Sequence, residues 1–272
     1  MTPLTAAVVQ LSSQDEVGAN LGRATALVEE AARGGAEIVC LPENFAFMGE
    51  EDDKRRIAEP DDGSGPILRA IRDVARRAKV HVVAGGMPEK SEDPARPYNT
   101  SFLVAPDGAV LAKYRKVHLF DVEIPHGPTL KESQATMPGE TEVRVHDVCG
   151  TKLGMTVCYD IRFPELYRKL ALAGARVVTV PAAFTLTTGK DHWHVLLRAR
   201  AIENQVFVIA AGQHGTHPRG QKTYGKSLII DPWGDVLAQC GEGEGFSIAR
   251  LDFAYQERVR AGLPCLSHRR LT

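Results

Sequence analysis

The chain has 272 residues, of which 43% are hydrophobic and 25% are charged, as is typical of a globular protein with a substantial core. Its 33 basic and 34 acidic residues give a formal net charge of -1, so we expect no nucleic-acid partner and no attraction to anionic membranes. No apolar run approaches the roughly 18 residues of a membrane-spanning helix. Residues 1–10 lack a signal-peptide pattern, and the expected location is therefore the cytoplasm.

Alternating strands and helices are predicted in the first half of the chain. Apolar residues at helical spacing mark the helices, and short β-rich runs mark the strands. The predicted elements are strand 4–11, helix 20–33, strand 36–41, helix 66–79, strand 80–84, and a hairpin of strands 99–104 and 109–114. Glycine pairs at 34–35 and 85–86 are expected to end the elements before them. We expect residues 48–62 and 90–97 to be the least ordered.

The second half continues the same alternation. Its predicted elements are strand 152–157, helix 164–173, strand 176–180, helix 191–204, strand 205–211, hairpin strands 226–230 and 236–240, and strand 246–251. Such alternation with interleaved hairpins predicts an α/β layered fold with mixed sheets. No linker or repeat divides the chain, so we expect a single domain.

Cysteine and histidine spacing gives no sign of a metal centre. The five cysteines are odd in number and widely spaced, without a C-x-x-C pair: Cys40, Cys149, Cys158, Cys240 and Cys265. This argues against a disulfide framework and a zinc site. Four histidines also fit no metal-binding motif: His192, His194, His214 and His217. We therefore predict no metal and no cofactor.

Three reactive side chains lie just past predicted apolar strands. Glu43 follows strand 36–41, Lys116 follows strand 109–114, and Cys158 follows strand 152–157. Because the carboxyl ends of strands in α/β sheets line a common ligand-binding edge, these side chains are expected to meet in space.

This set suits nucleophilic attack on a carbonyl carbon. Glu43 is a candidate acceptor of the Cys158 proton, and Lys116 is a candidate stabiliser of the resulting oxyanion, together with the backbone N–H after Cys158. Glu132 is a candidate second carboxylate for a buried lysine. A helix beginning at Pro164 is expected to favour a thiolate at Cys158. From the residues alone, a core cysteine, a helix-capping glutamate and a surface lysine remain open as alternatives.

The segments around these residues resemble the carbon–nitrogen hydrolase (nitrilase) superfamily, whose signature is Glu–Lys–Cys in such contexts. The resemblance covers nearly the whole chain, from residues 6–10 to the tail at 268–270. It implies a four-layer α-β-β-α sandwich, one carbon–nitrogen hydrolase domain over residues 1–272. It also implies that protomers pair through helices into a homodimer or a higher homo-oligomer.

The resemblance further implies a metal-free acyl-enzyme mechanism. In it Glu43 is the general base, Cys158 the nucleophile, Lys116 the oxyanion stabiliser and Glu132 a supporting glutamate. Segments 118–125, 158–166 and 196–203 are most similar to the Nit branch of deaminated glutathione amidases and ω-amidases.

The implied substrate is a small-molecule amide bearing a carboxylate, with deaminated glutathione as the first choice. An ω-amidase acting on α-ketoglutaramate or α-ketosuccinamate, and a carbamoyl amino-acid hydrolase, are the alternatives. A true nitrilase is less favoured.

Residues 187–194 depart from the family pattern near the expected pocket, which leaves the substrate open. A guanidinium binds a carboxylate through two hydrogen bonds, so Arg162 is a candidate for the substrate carboxylate. An ion pair of Arg162 with Glu165 or Asp160 is the alternative. Further candidates for lining the pocket are Tyr159, Phe184, Thr185 and Thr188.

Two other classes of function find little support. Residues 220–227 match the spelling of a phosphate-binding P-loop, but a loop precedes them and a β-branched run follows, whereas the motif requires a strand before it and a helix after it. A catalytically inactive interaction module is disfavoured because the Glu, Lys and Cys are all present.

Overall fold

A computed structural model of the protein describes residues 2–123 and 129–271. Its first half contains, in order, β1 (Leu4–Gln10), α1 (Val17–Arg33), β2 (Ile38–Cys40), α2 (Lys54–Ile57), α3 (Pro66–Ala78), β3 (His81–Glu89), β4 (Tyr98–Val104), β5 (Val110–Arg115), β6 (Asp121–Glu123) and β7 (Thr129–Lys131). Its second half contains β8 (Val145–Val148), β9 (Thr151–Met155), α4 (Pro164–Leu172), β10 (Val177–Thr179), α5 (Leu186–Asn204), β11 (Phe207–Ala210), β12 (His214–Thr216), β13 (Lys222–Tyr224), β14 (Leu228–Ile230), β15 (Val236–Gln239), β16 (Gly245–Leu251) and α6 (Phe253–Gly262).

Two six-stranded mixed sheets form the centre of the fold. The first has the strand order β16-β1-β2-β3-β4-β5, and the second has the order β15-β14-β11-β10-β9-β8. Strands β1, β2 and β3 run parallel, as do β9, β10 and β11, while the outer strands of both sheets pair antiparallel. Each half of the chain thus builds one sheet, apart from β16, which returns to the first.

Three layers of buried apolar side chains join the two sheets and the helices. One lies between the first sheet and helices α1 and α3, where Ile67, Ile71 and Val74 face the sheet at helical spacing. The middle layer packs one sheet on the other, and the third packs α4 and α5 on the second sheet. This confirms the predicted four-layer α-β-β-α sandwich.

Strand β3 passes through the glycine pair that was expected to end it. It continues to Glu89, with a shift of register between Ala84 and Met87. A Cβ at Gly85 would overlap the Leu41 carbonyl, and a Cβ at Gly86 would overlap the Asn99 amide. The glycines therefore allow close approach of neighbouring chain segments, and the prediction of a strand end was wrong.

Helix α5 begins at Leu186, five residues before the predicted start. Its Gly189 packs against the Tyr224 ring, where a Cβ would overlap. The glycine therefore serves side-chain packing within the helix, and the predicted start at residue 191 was too late.

Other segments that were predicted as loops, or given no element, are also regular. The acidic stretch at 48–62 contains a 3₁₀ turn, Glu51–Asp53, and helix α2. Helix α6 was not predicted, although Asp252 caps it by accepting hydrogen bonds from the Ala254 and Tyr255 N–H groups. None of the helices in the described ranges is long and apolar enough to cross a membrane.

Candidate active site

Three strand ends bring the predicted reactive side chains to one cavity. Glu43 lies three residues beyond β2, Lys116 directly follows β5, and Cys158 follows β9 of the other sheet. All three side chains are buried. They line a cavity of about 90 Å³ together with Glu132 and Lys54.

Lys116 is held between two carboxylates. Its Nζ donates to Glu43 Oε1 at 3.0 Å and to Glu132 Oε2 at 2.8 Å. Burial alone would lower the pKa of Lys116, but the two carboxylates outweigh burial and hold it well above its usual range. Lys116 is therefore a fixed positive charge in the cavity.

Glu43 is oriented by both of its oxygens. Its Oε1 also accepts from Asn99 Nδ2 at 2.8 Å, and its Oε2 accepts from the Ala183 N–H at 2.9 Å. Burial opposes ionisation, yet Lys116 and the Cys158 thiol lower the pKa of Glu43 below its usual value. Glu43 is therefore an ionised carboxylate beside the thiol.

Cys158 has a strained backbone conformation. Its φ is 48°, which is uncommon for a residue other than glycine, and its N–H donates to the Pro181 carbonyl at 2.8 Å. It begins a 3₁₀ turn, Cys158–Arg162, at the end of which Pro164 starts α4, as predicted.

The expectation that a nearby helix would favour a thiolate at Cys158 is wrong for the resting site. Burial and the Glu43 carboxylate raise the pKa of Cys158 well above its usual range, and Lys116 offsets only part of this. The resting pair is therefore a thiol and a carboxylate, so attack on a substrate requires transfer of the thiol proton.

Asp160 stabilises the turn that carries Cys158. It is completely buried, and its carboxylate accepts hydrogen bonds from the Val157 N–H at 2.8 Å, the His118 N–H at 3.2 Å and the Tyr114 hydroxyl at 2.8 Å. His118 Nδ1 lies 2.7 Å from the same carboxylate. These contacts tie the turn to the segment around Lys116.

Glu132 and Asn99 complete the hydrogen bonding around Lys116. Glu132 Oε2 also accepts from the Phe120 N–H at 2.7 Å, and Asn99 Nδ2 lies 3.4 Å from Glu132 Oε1. Asn99 was missed because a buried asparagine inside a strand has no distinguishing sequence pattern.

Lys54 was also missed. It lies in the acidic stretch that was expected to be among the least ordered, yet it is buried in the cavity wall and donates to Glu51 Oε1 at 2.8 Å. Its only signal was a basic residue three positions after an acid.

Arg162 does not line the cavity that contains Cys158. Its guanidinium lies over the Phe184 ring at 5.4 Å and over the Tyr159 ring at 5.9 Å, and its nitrogens are 3.3–3.4 Å from His192 Nδ1. Within the described residues it forms no ion pair with Glu165 or Asp160. Its binding of a carboxylate stays a prediction.

The other substrate-binding candidates lie beside the cavity. Thr185 lines a neighbouring cavity of about 580 Å³ that shares Glu51, Leu130 and Gln221 with the first. Thr188 hydrogen-bonds to Thr185 at 2.8 Å. Phe184 packs on Trp193, and Tyr159 packs on Phe120, with ring centroids 5.1 Å and 4.9 Å apart.

Two expectations remain, one about a metal site and one about the P-loop match. The part of the chain that the structure describes has no group of three or more His, Cys, Asp or Glu side chains placed to hold a metal ion, and the absence of a metal from the reaction stays a prediction. The P-loop spelling at 220–227 leads into strand β14 and not into a helix, as expected of an accidental match. Ile124 and Pro125, part of the family-like segment 118–125, lie outside the described residues.

Comparison with known proteins identifies relatives over the full length. The family profile described as "Carbon-nitrogen hydrolase" matches residues 5–261. The deaminated glutathione amidase of Synechocystis sp. is 46% identical over 271 residues, covering 99% of both chains.

Two solved structures have the same fold. The crystal structure of the C. elegans NitFhit protein superposes with a TM-score of 0.92 at 38% identity, over 98% of this chain and 65% of that one, so this chain spans slightly less than two thirds of NitFhit. An amidase mutant from Nesterenkonia sp. AN1 superposes with a TM-score of 0.82 at 28% identity, over 98% and 94% of the two chains. It shows covalent addition of the acetamide moiety of fluoroacetamide at its active-site cysteine.

Proposed function

Since the chain belongs to the carbon–nitrogen hydrolase family, it is an amide hydrolase, and we propose that it acts through a thioester on Cys158. The observation that carries the proposal is the meeting of Glu43, Lys116 and Cys158 in one buried cavity. The covalent adduct on the cysteine of the Nesterenkonia amidase supports the same role for the thiol here.

In the first step, the Cys158 thiol transfers its proton to Glu43 while the sulfur attacks the amide carbon. The new C–S bond forms as the C=O π electrons move onto oxygen. The Lys116 ammonium stabilises this oxyanion, together with the N–H of Tyr159, since the first N–H groups of a 3₁₀ turn have no partner within it.

Collapse of the tetrahedral intermediate then breaks the C–N bond. The proton on Glu43 moves to the leaving nitrogen, which departs as ammonia or an amine. Water, deprotonated by Glu43, attacks the thioester, and the carboxylic acid leaves as Cys158 recovers its proton. Glu132 keeps Lys116 in place through both steps.

We infer that the substrate is deaminated glutathione. The name of the Synechocystis relative supports this, as does the 580 Å³ cavity beside the reactive groups. Deaminated glutathione releases a dipeptide, which needs such space, whereas α-ketoglutaramate releases only ammonia. An ω-amidase remains the second candidate.

The test is product release from deaminated glutathione and α-ketoglutaramate measured side by side, with the Cys158→Ala protein as control. Preference for deaminated glutathione that is lost in the variant supports both nucleophile and substrate. Preference for α-ketoglutaramate would overturn the substrate and keep the nucleophile. Turnover by Cys158→Ala would overturn the covalent mechanism.

We also propose that the protein is a cytoplasmic homodimer or a higher homo-oligomer. Helix α5 leaves Val195 and Ile202 exposed, 66% and 44% respectively, on a surface suited to pairing between helices. All five cysteines are free, which suits a reducing compartment. Sedimentation of the wild type and of Val195→Glu tests the assembly, and a wild-type monomer would overturn it.

A further inference from the structure

The cavity that holds Cys158 contains a second buried ammonium group. Lys54, in helix α2, lines it together with Glu132. Its side chain is only 8% exposed. Burial of a lysine is costly unless the charge is paired, so a lysine in this position calls for a function.

The partner of Lys54 is far more exposed than Lys54 itself. Lys54 Nζ donates to both oxygens of Glu51, at 2.8 and 2.9 Å, and Glu51 is its only ionic partner among the described residues. The Glu51 side chain is 51% exposed, lies on the preceding turn and borders the larger neighbouring cavity as well. Glu51 is therefore able to turn into solvent, whereas Lys54 is not.

Lys116 differs from Lys54 in this respect. Its Nζ is paired with two carboxylates, those of Glu43 and Glu132, whose side chains are only 4% and 11% exposed. Burial alone would lower the pKa of Lys54, but Glu51, with Glu132 and Glu43 at longer range, raises it. Lys54 is thus charged at neutral pH and paired with a replaceable carboxylate.

We propose that Lys54 binds the carboxylate of the substrate's acyl portion, and that Glu51 occupies this position in the empty site and is displaced on binding. The inference rests on the proposed function and names the group that selects its substrate class. Exchanging one carboxylate for another keeps the buried charge balanced at every stage.

The first test compares two amides of equal length, glutaramate and pentanamide, which differ by a carboxylate in place of a methyl group. We expect Lys54→Met to lower the ratio of kcat/KM for glutaramate to that for pentanamide by at least about tenfold, since hydrogen bonds between charged groups are among the stronger ones. Glu51→Gln is expected to raise this ratio, because it removes the competing carboxylate.

Two variants act as matched controls. Lys131 lines the same cavity but is exposed, and Arg162 is the alternative carboxylate ligand. Lys131→Met and Arg162→Met are expected to change the ratio by less than Lys54→Met does. An equal or larger fall in either would overturn the proposal, as would equal losses on both amides in Lys54→Met.

A second measurement does not depend on turnover. Glutarate is expected to slow alkylation of Cys158 by iodoacetamide in the wild type, and this protection should fall at least about tenfold in apparent affinity in Lys54→Met. Lys54-dependent protection in a protein that cleaves no amide would overturn the proposed function and support this inference. Amide cleavage together with protection that is unchanged in Lys54→Met would support the proposed function and overturn this inference.

Discussion

The ammonium of Lys116 lies 3.0 Å from a carboxylate oxygen of Glu43, and both groups are buried. Because neither charge is solvated by bulk water, each depends on the other for its ionised form. The pair therefore links stability to catalysis: removing Lys116 leaves the Glu43 carboxylate buried without its cation, whereas removing Glu43 leaves Lys116 paired with Glu132 alone.

Lys116→Met is expected to reduce kcat by at least about a hundredfold, the usual effect of losing an oxyanion donor. The same change should destabilise the fold by about 3–5 kcal/mol, because Glu43 and Glu132 are left buried without their shared cation. Urea unfolding and steady-state kinetics measure the two effects. The exposed Lys90, changed to Met, is the control, and a kcat within threefold of wild type in Lys116→Met would contradict the assigned role.

Cys158→Ala is expected to abolish turnover while leaving the folded state intact, because it removes a single sulfur atom and little packing volume. Residual activity above about one per cent of wild type would argue against a covalent mechanism. The control is Cys265→Ala, a cysteine outside the cavity, which should retain activity. Mass spectrometry of the protein mixed with substrate should detect the acyl adduct in the wild type alone.

The pH dependence of kcat/KM should show a broad plateau. Glu43 has a pKa below its ordinary value of 4.5, so it stays ionised, and its stabilising pairing stays intact, until the pH falls through that lowered pKa. Lys116 has a pKa above its ordinary value of 10.5, so its charge is lost only when the pH rises beyond that value. We expect a flat profile from about pH 5.5 to 9. An acid limb centred near pH 7 would instead indicate a histidine as the base.

Asp160→Asn should destabilise the protein by about 1–3 kcal/mol, because the new amide group cannot accept the hydrogen bonds that reach both oxygens of the buried carboxylate. The same substitution should slow alkylation of Cys158, because Asp160 stabilises the turn that carries this cysteine. Asp235→Asn, at an exposed position, serves as the control for the loss of a negative charge. Equal melting temperatures for the two variants would contradict the role given to Asp160.

Gly86→Ala should reduce activity and destabilise the fold by about 1–3 kcal/mol, since the added Cβ overlaps the Asn99 amide that bonds Glu43. The matched substitution is Gly18→Ala in helix α1, where a Cβ meets no atom within 4 Å. There we expect a gain of up to about 1 kcal/mol. Kinetics and thermal unfolding of both variants separate the clash from a general effect of alanine.

Much of the fold could be predicted from local sequence patterns. Helix α3 was predicted to within one residue, because its apolar positions recur at helical spacing and a proline marks its start. The hairpin of β4 and β5 was predicted from its Pro-Asp-Gly turn. Two errors involve a glycine: β3 does not end at Gly86, and α5 begins before Gly189 and not after it. At both positions the glycine makes room for a side chain distant in sequence, Asn99 and Tyr224 respectively.

The candidate site could be predicted only in part from the sequence. Glu43, Lys116 and Cys158 were candidates because each follows an apolar strand, and strand ends converge in sheets of this kind. Their separate roles were then implied by the resemblance to the nitrilase superfamily. Lys54 was not found, because its burial depends on how helix α2 packs over the cavity, and no pattern in an acidic, polar stretch indicates that. The protonation state of Cys158 was also missed, since it depends on burial and on Glu43, which is near in space but distant in sequence.

The two sheets carry different parts of the proposed chemistry. Glu43 and Lys116 extend from the first sheet and Cys158 from the second, and the Ala183 N–H of the second reaches across to Glu43. Alignment of base and sulfur therefore depends on how the sheets rest on one another, through the apolar layer between them. Enzyme activity therefore depends on the spacing of the two sheets. Under heat or pressure it should decline when the sheets shift relative to each other, before either sheet unfolds.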